Sequence, residues 1–387
     1  MLVGVPGAVF RLSGIEVEPI AVAAVYGAGI VAGAFLLSWA AEVAEIDVSA
    51  SLAIAAVAMV AVLPEYVVEA VLAWDAGSSF DAATGAVTSE TARVAANVTG
   101  SNRLLIGLGW SAVILIYWIR RRRALEVRGE LGLEITVLTV ATLATLAIFF
   151  MHQVHFALSV CLIVLYAAYL WLSSTKEAEE PKLLGAAALI GSLPAWRRRA
   201  MVVFLFAFAA AVILIAAEPF VDGLVETGQG FGIDEFILIQ WIAPVASESP
   251  EIIVAVLFSL RGNPVAGLTA LISSGAIQLT LLVGSMVILF SASADQVLSL
   301  PLDDRQAIEF LLTTSVSAVA LMLVVKRVIS WSAGAILLAL FIAHLLFPAQ
   351  EHRLRFAFVY FGLALGIMAT DWLRLRLPFR EEPPDPG

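Results

Sequence analysis

The sequence predicts an all-α integral membrane protein with about eleven transmembrane helices: two inverted five-helix repeats plus one extra C-terminal helix. Three observations lead there. The 387 residues are 61% hydrophobic and only 14% charged, with a mean hydropathy of +0.97, whereas soluble domains run near half apolar and a quarter charged. Apolar segments of about the ~20 residues needed to cross a bilayer recur along the whole chain. A Pro-Glu pair stands inside such a segment in each half: Pro64-Glu65 in AVLPEYVVEAV and Pro250-Glu251 in VASESPEIIVAV. A carboxylate in a bilayer is costly and is kept mainly for function. A proline beside it frees backbone carbonyls that can bind a cation. The same device in both halves points to an inverted-repeat transporter with its ion site at the membrane midplane.

The apolar segments run roughly 20–41, 49–74, 90–119, 131–150, 154–173, 200–221, 234–260, 264–291, 307–328, 330–347 and 354–374. Residues 20–173 form the first repeat and 200–347 the second. The 174–199 connection starts polar (SSTKEAEEPK) and turns mildly apolar, as a linker with a short interfacial helix would. Residues 354–374 lie outside the five-plus-five arrangement as a peripheral addition, and 375–387 read as a disordered tail. The stretch before Pro19 contains Arg11 and Glu16 and lacks a long apolar region behind a basic start, so it reads as an interfacial lead-in and not a signal peptide. Spans two and three make one hairpin and spans seven and eight another. Span two and span seven run in opposite directions, as an inverted repeat requires.

Basic residues set the expected orientation. Arg120, Arg121, Arg122, Arg123 and Arg128 follow span three; Lys176, Lys182, Arg197, Arg198 and Arg199 lie between spans five and six. Arg261, Lys326 and Arg327 follow spans seven and nine, and Arg374, Arg376 and Arg380 follow span eleven. With eleven spans these share one face, which the positive-inside rule makes cytoplasmic. The N-terminus is then outside and the C-terminus inside, and the plasma (inner) membrane is the expected location. Arg305, Arg353 and Arg355 dissent in outer loops. The opposite loops carry Asp75, Asp81, Asp222, Glu226, Asp234, Asp295, Asp303 and Asp304, which would concentrate cations in an outer vestibule.

Other chemistries find little support. Cys161 is the only cysteine, so no internal disulfide forms. His152, His155, His344 and His352 show no metal-site spacing. No HExxH occurs and no histidine lies near Glu65 or Glu251 in sequence, which argues against an intramembrane hydrolase and for a protein that is not an enzyme. The formal charge of −10 sits in loops and tail and implies no nucleic-acid partner. The implied partners are inorganic cations and the lipid bilayer, with no prosthetic group; oligomeric state is not readable.

The chemistry concentrates in the hairpins. Glu65 and Glu69 lie four residues apart on one helical face. The returning helix, ARVAANVTGSNRLLIGLGW, offers Asn97, Thr99, Ser101 and Asn102, with Gly100, Gly107 and Gly109 permitting close packing. In the second hairpin Glu248 and Glu251 are three apart beside Ser247 and Ser249. Its returning helix, GLTALISSGAIQLTLLVG, offers Ser273, Ser274, Gln278 and Thr280. A hard cation such as Ca2+ wants six to eight oxygens, which four carboxylates, amides, hydroxyls and freed carbonyls would supply. Carboxylates so close cannot all stay ionised without a cation, and competition between protons and metal for them is a physical basis for antiport.

Several residues carry plainer readings. Asn97, Asn102 and Gln278 also suit interhelical hydrogen bonding, and Thr136, Thr139, Thr142 and Thr145 make a stripe suited to close packing. Glu42 and Glu309 are expected to snorkel to water, Glu218-Pro219 to mark a helix terminus, and Asp371 to be interfacial. An intramembrane Arg103 needs a carboxylate; the expected partner is Glu69 or Glu248, with a tethered-cation role as the alternative.

At these residues the chain resembles the calcium/cation antiporter superfamily, which includes Na+/Ca2+ and H+/Ca2+ exchangers. VLPE (62–65) and SESPE (247–251) look like its two Glu motifs. AANVTGSN (95–102) looks like the first Gly-Ser-Asn motif, and SSGAIQLTLLV (273–283) is similar to the Gln-bearing second motif of H+/Ca2+ exchangers. The resemblance implies that Glu65 and Glu251 are the principal cation ligands, with Asn102 and Gln278 auxiliary. Matching Gly100 to Gly275 would instead pair Arg103 with Gln278. The chain departs from the pattern at Ala61 and Val62, which replace hydroxyl residues, at Glu248, which stands where Ser or Asn is usual, and at Glu69. The full candidate set is thus Glu65, Glu69, Glu248, Glu251, Asn97, Ser101, Asn102 and Gln278 as cation ligands, with Arg103, Pro64 and Pro250 beside them.

These observations converge on a secondary active antiporter that exchanges Ca2+ or a related cation for H+ or Na+. Fewer hydroxyls and more carboxylates tilt the coupling toward protons. By the family, spans one and six would move past the core formed by both hairpins in alternating access. The alternatives are a monovalent Na+/H+ antiporter on the same scaffold and a non-transporting membrane sensor or scaffold.

Overall fold

The computed structural model describes residues 18–44, 46, 47, 63–127, 131–173, 183 and 185–376. Twelve helices are found among them: α1 (Pro19–Ala44), α2 (Leu63–Ser78), α3 (Ser89–Arg121), α4 (Gly132–Met151), α5 (Phe156–Ser173), α6 (Ala186–Gly191), α7 (Ala195–Phe231), α8 (Glu235–Leu260), α9 (Pro264–Ser293), α10 (Asp304–Val325), α11 (Trp331–Leu346) and α12 (Gln350–Arg376). Eight are long and apolar enough to cross a membrane, and the bent α8 makes a ninth span. The chain is an integral membrane protein. Residues 49–62, the start of the expected second span, lie outside the described residues, as do 174–182 of the linker and most of the tail. Of the linker's expected helix, the short α6 is seen.

Local chemistry sets the helix ends. Thr88 and Thr91 form a reciprocal capping box that starts α3, and Asp303 and Gln306 form one that starts α10, each satisfying backbone N–H groups that have no partner in the first turn. Asn263 caps α9 ahead of Pro264, whose missing N–H is harmless there. Pro64 directly precedes Glu65 in α2, and the residues before Leu63 lie outside the described residues. Pro250 lies inside α8, where the axis turns by 54° between Ser249 and Glu251; a proline in the ladder removes one hydrogen bond and kinks the helix.

Two expectations about span ends are corrected. Glu218-Pro219 does not end a helix: α7 runs on through Pro219 to Phe231 and stops at Gly232 in the left-handed conformation. Arg353 is not in an outer loop. It lies in α12, 1% exposed, and α12 packs on α10 instead of standing apart.

Packing crosses the two halves reciprocally. α1 lies along α7, α3 against α8, and α2 against the second part of α9. Gly100 makes the α3 crossing close: a Cβ there would overlap the Gln240 carbonyl of α8. Two short strand pairs repeat the exchange. β1 (Leu125–Glu126), after α3, pairs antiparallel with β4 (Val328–Ile329), after α10. β2 (Gln153–Val154), after α4, pairs with β3 (Leu300–Pro301), after α9. The β1–β4 pair brings the end of α3 and the end of α10 to one face, where Arg121 also meets the α8–α9 turn at Gly262. The basic residues at these three places therefore share that face.

Candidate functional site

α3 and α9 each change from α to π winding midway, at Leu105–Trp110 and Gln278–Leu282. π turns shift side chains out of the regular helical register and are frequent at functional sites. They also offer one register for comparing the two returning helices. Leu105 and Gln278, which open the π turns, are separated along the chain by the same interval as Arg122 and Asp295, the left-handed residues after each helix. In that register Asn102 corresponds to Gly275, and the two face each other, with Asn102 Nδ2 3.8 Å from a Cβ placed on Gly275. In the same register Leu105 corresponds to Gln278.

Gln278 is the hub. Fully buried, it donates from Nε2 to Glu65 Oε2 at 3.0 Å and to Glu248 Oε1 at 2.8 Å, joining α2, α8 and α9. Glu248 is an electrostatic neighbour of both Glu65 and Glu251. Ser274, one turn before Gln278, donates to Glu251 Oε2 at 2.6 Å. Three carboxyls from the two Pro-Glu helices thus meet at one place. Glu65 Oε1, Glu248 Oε2 and Gln278 Oε1 are buried and have no hydrogen-bond donor among the described residues. Carboxyls in contact need either a shared proton or a cation between them. Orphaned acceptors of this kind suit a hard cation held by carboxylate and amide oxygens.

The expected set is only partly assembled. No three acidic, histidine or cysteine side chains among the described residues form a ready metal cage; the Gln278 amide nitrogen bridges Glu65 and Glu248. Glu69 sits one turn along α2 from Glu65 and accepts from Asn97 Nδ2 at 2.7 Å, a separate buried pair. Asn102 accepts from Ser317 Oγ at 3.0 Å, and Ser101 is buried beside it with its hydroxyl unpartnered; no hydrogen bond joins either to a carboxyl among the described residues. Ser247 and Ser249 turn their hydroxyls back onto carbonyls of their own helix, Ser247 onto Ala243 and Ser249 onto Val245. Pro64 is buried beside Glu65. Ser274 stood in the sequence only as one hydroxyl among several. Its position one turn from Gln278 was the available signal. Ser317, on α10, had none.

Arg103 pairs with neither Glu69 nor Glu248. Its Nη1 lies 2.6 Å from Glu309 Oε2, and its Nε donates to the Thr99 carbonyl at 2.9 Å. Glu309 is not a snorkelling residue: at 2% exposure it also holds Arg353, 3.5 Å away. Arg353 in turn donates to Gln240 at 3.3 Å, and both guanidiniums lie over the Trp241 ring, at 5.2 and 5.6 Å. Glu42 is half-buried. In the threonine stripe, Thr136 and Thr139 are exposed and bond their own helix, while Thr145 meets Thr314 of α10 at 2.9 Å, a packing contact.

The family model of the sodium/calcium exchanger protein matches residues 19–175 and again residues 201–349. A crystal structure of the H+/Ca2+ exchanger CAX is 40% identical, with a TM-score of 0.90, over 96% of this chain and 93% of that one. Native YfkE shares the fold at 16% identity and a TM-score of 0.65, covering 93% of this chain and 98% of its own. The sodium-calcium exchanger NCX_Mj does so at 19% and 0.54, covering 82% of this chain and 95% of its own. No curated protein matches the chain.

Proposed function

The chain belongs to the sodium/calcium exchanger protein family, and on that premise we propose that it is an antiporter exchanging Ca2+ for protons by alternating access. The contact of Glu65, Glu248 and Glu251 carries this reading. Buried carboxyls this close need either protons or a cation among them. A divalent cation entering the same space replaces those protons and is met by Glu65, Glu248 and Glu251, with the Gln278 amide rotating to present its oxygen. Occupancy by one ion excludes the other, which is the requirement for exchange. Glu69, Asn97, Ser101 and Asn102, buried on α2 and α3, keep their candidacy as auxiliary groups.

The scaffold is read as eleven spans in two inverted repeats, 20–173 and 200–347, with α12 additional. The double match to one family model, the reciprocal strand pairs and the paired left-handed residues (Arg122 with Asp295, His152 with Arg327) support that arrangement. The basic face is then cytoplasmic. Proton coupling rather than sodium coupling is supported by the acid-rich site and by the likeness to an H+/Ca2+ exchanger.

Radiolabelled calcium uptake by proteoliposomes of the full chain tests the reading. An imposed pH gradient should drive saturable uptake, and an equal Na+ gradient should not. Uptake driven by sodium alone would overturn proton coupling. Na+/H+ exchange without calcium movement would establish the monovalent alternative.

A further inference from the structure

We propose that the arginine pocket at the end of α3 binds the phosphate group of an anionic lipid headgroup. α3 ends in four consecutive arginines. Arg122 stops the helix in the left-handed conformation at φ 51° and lays its guanidinium 4.4 Å over the Trp118 ring. That leaves Arg120, Arg121 and Arg123 to line, with Tyr117 and Gly262, a cavity of about 500 Å3. Gly262 belongs to the α8–α9 turn and has φ +87°; a Cβ there would come within 3.0 Å of Arg121 Nη2. The cavity therefore lies between the first returning helix and the turn of the second Pro-Glu hairpin.

Three guanidiniums around one cavity repel each other, and among the described residues none of them is ion-paired with a carboxylate. A phosphate would relieve that repulsion and match the planar donor fork of arginine, with the Tyr117 hydroxyl as a further donor. The surroundings favour a lipid as its source. Trp118 stacks on Trp331 at 5.1 Å, and Trp331 and Ile119 are 47% and 60% exposed. Stacked tryptophans with exposed apolar neighbours mark headgroup depth, and basic pockets at that depth suit anionic headgroups.

The test uses the purified full chain in neutral detergent, with phosphatidylglycerol, phosphatidylcholine or inorganic phosphate added. Phosphatidylglycerol should raise the unfolding temperature by about 2–4 °C and survive as a bound adduct in native mass spectrometry. Phosphatidylcholine should do neither. In the Arg120→Gln/Arg121→Gln/Arg123→Gln variant, retention of phosphatidylglycerol should fall about tenfold. If that variant does not fold, the exposed single changes Arg120→Gln and Arg123→Gln should each give a partial fall. Equal retention by wild type and variants, or no preference over phosphatidylcholine, overturns the proposal. Protection by inorganic phosphate matching that of phosphatidylglycerol overturns the lipid as source. Neither readout involves transport, so the result stands apart from the exchange reading.

Discussion

Two buried polar clusters, one built from α2, α8 and α9 and the other from α3, α10 and α12, handle charge in opposite ways. In one, Glu65, Glu248 and Glu251 lie together, with the Gln278 amide and the Ser274 hydroxyl as their side-chain hydrogen-bond donors among the described residues. In the other, Glu309 lies between Arg103 and Arg353, with Gln240 and the Trp241 ring beside them. A buried charge must be neutralised or paired. The arginine cluster does this with residues that never leave. The carboxyl cluster depends on protons or an ion from outside. The contrast separates what holds the helices together from what exchanges.

Removing the permanent partner should have the largest effect. Glu309→Gln leaves two buried guanidiniums without a carboxylate, and breaking a buried pair from one side costs about 3–5 kcal/mol. Thermal unfolding in detergent should show it as a large fall, and Arg103→Met together with Glu309→Met should recover part of the loss, since neither charge is then orphaned. A Glu309→Gln protein as stable as wild type would break the comparison on its structural side.

The carboxyl cluster should respond in the opposite sense. Glu65→Gln or Glu251→Gln removes a charge from a crowded acidic site, so stability should hold or rise, while calcium exchange should fall by about 100-fold or more, given that even groups supporting a metal ligand are worth 10–100-fold. Flux that survives both changes would leave a sensor or scaffold as the better reading. A smaller loss, about tenfold, is expected for Gln278→Leu, which deletes the amide that joins Glu65 and Glu248 and is worth roughly one good hydrogen bond to a charged group.

Which parts were legible in the sequence follows from the same distinction. α4 and α5 match their expected spans almost to the residue, because an unbroken apolar run has one reading in a bilayer. Glu65, Glu248, Glu251 and Gln278 stood out because polar groups are conspicuous in such runs. α7 was cut short at Glu218-Pro219, since an acid followed by proline looks like a helix end; α7 absorbs the proline inside its ladder. Glu309 reads as a snorkelling acid for a related reason. It lies near the start of α10, where an acid usually reaches water, and nothing in its own neighbourhood announces Arg103 or Arg353, which come from distant helices. Long-range pairing is what a linear pattern does not carry. The π turns in α3 and α9 are equally invisible in the sequence.

Between the clusters and the outside lies ordinary packing, and it should register as such. Thr145→Val loses the hydroxyl contact with Thr314 between α4 and α10 and should cost about 1 kcal/mol with calcium exchange unchanged. A transport defect there would move the threonine stripe from packing to function.

The smallest effect is expected where a permanent ion pair lies outside the membrane helices. Asp47, just beyond α1, accepts from Arg198 Nε at 2.7 Å, from Arg198 Nη2 at 2.8 Å and from Arg199 Nε at 3.1 Å, tying the end of α1 to the start of α7. The Arg198 hydrogen bonds, opposed by some desolvation and helped by Arg199, hold the Asp47 carboxyl at about 2, below its ordinary 3.8. A carboxyl with a depressed folded-state pKa stabilises the fold fully above the unfolded value and loses that contribution as pH falls through the folded one. Asp47→Asn should therefore lower the unfolding temperature at pH 7, by no more than about 2 °C because water screens the pair. The gap between variant and wild type should shrink as pH drops from about 4 toward 2. The geometry is as good as that of Arg103 with Glu309, so burial is the main difference between the two pairs. If Asp47→Asn cost as much as Glu309→Gln, desolvation would not be what makes the inner lock matter.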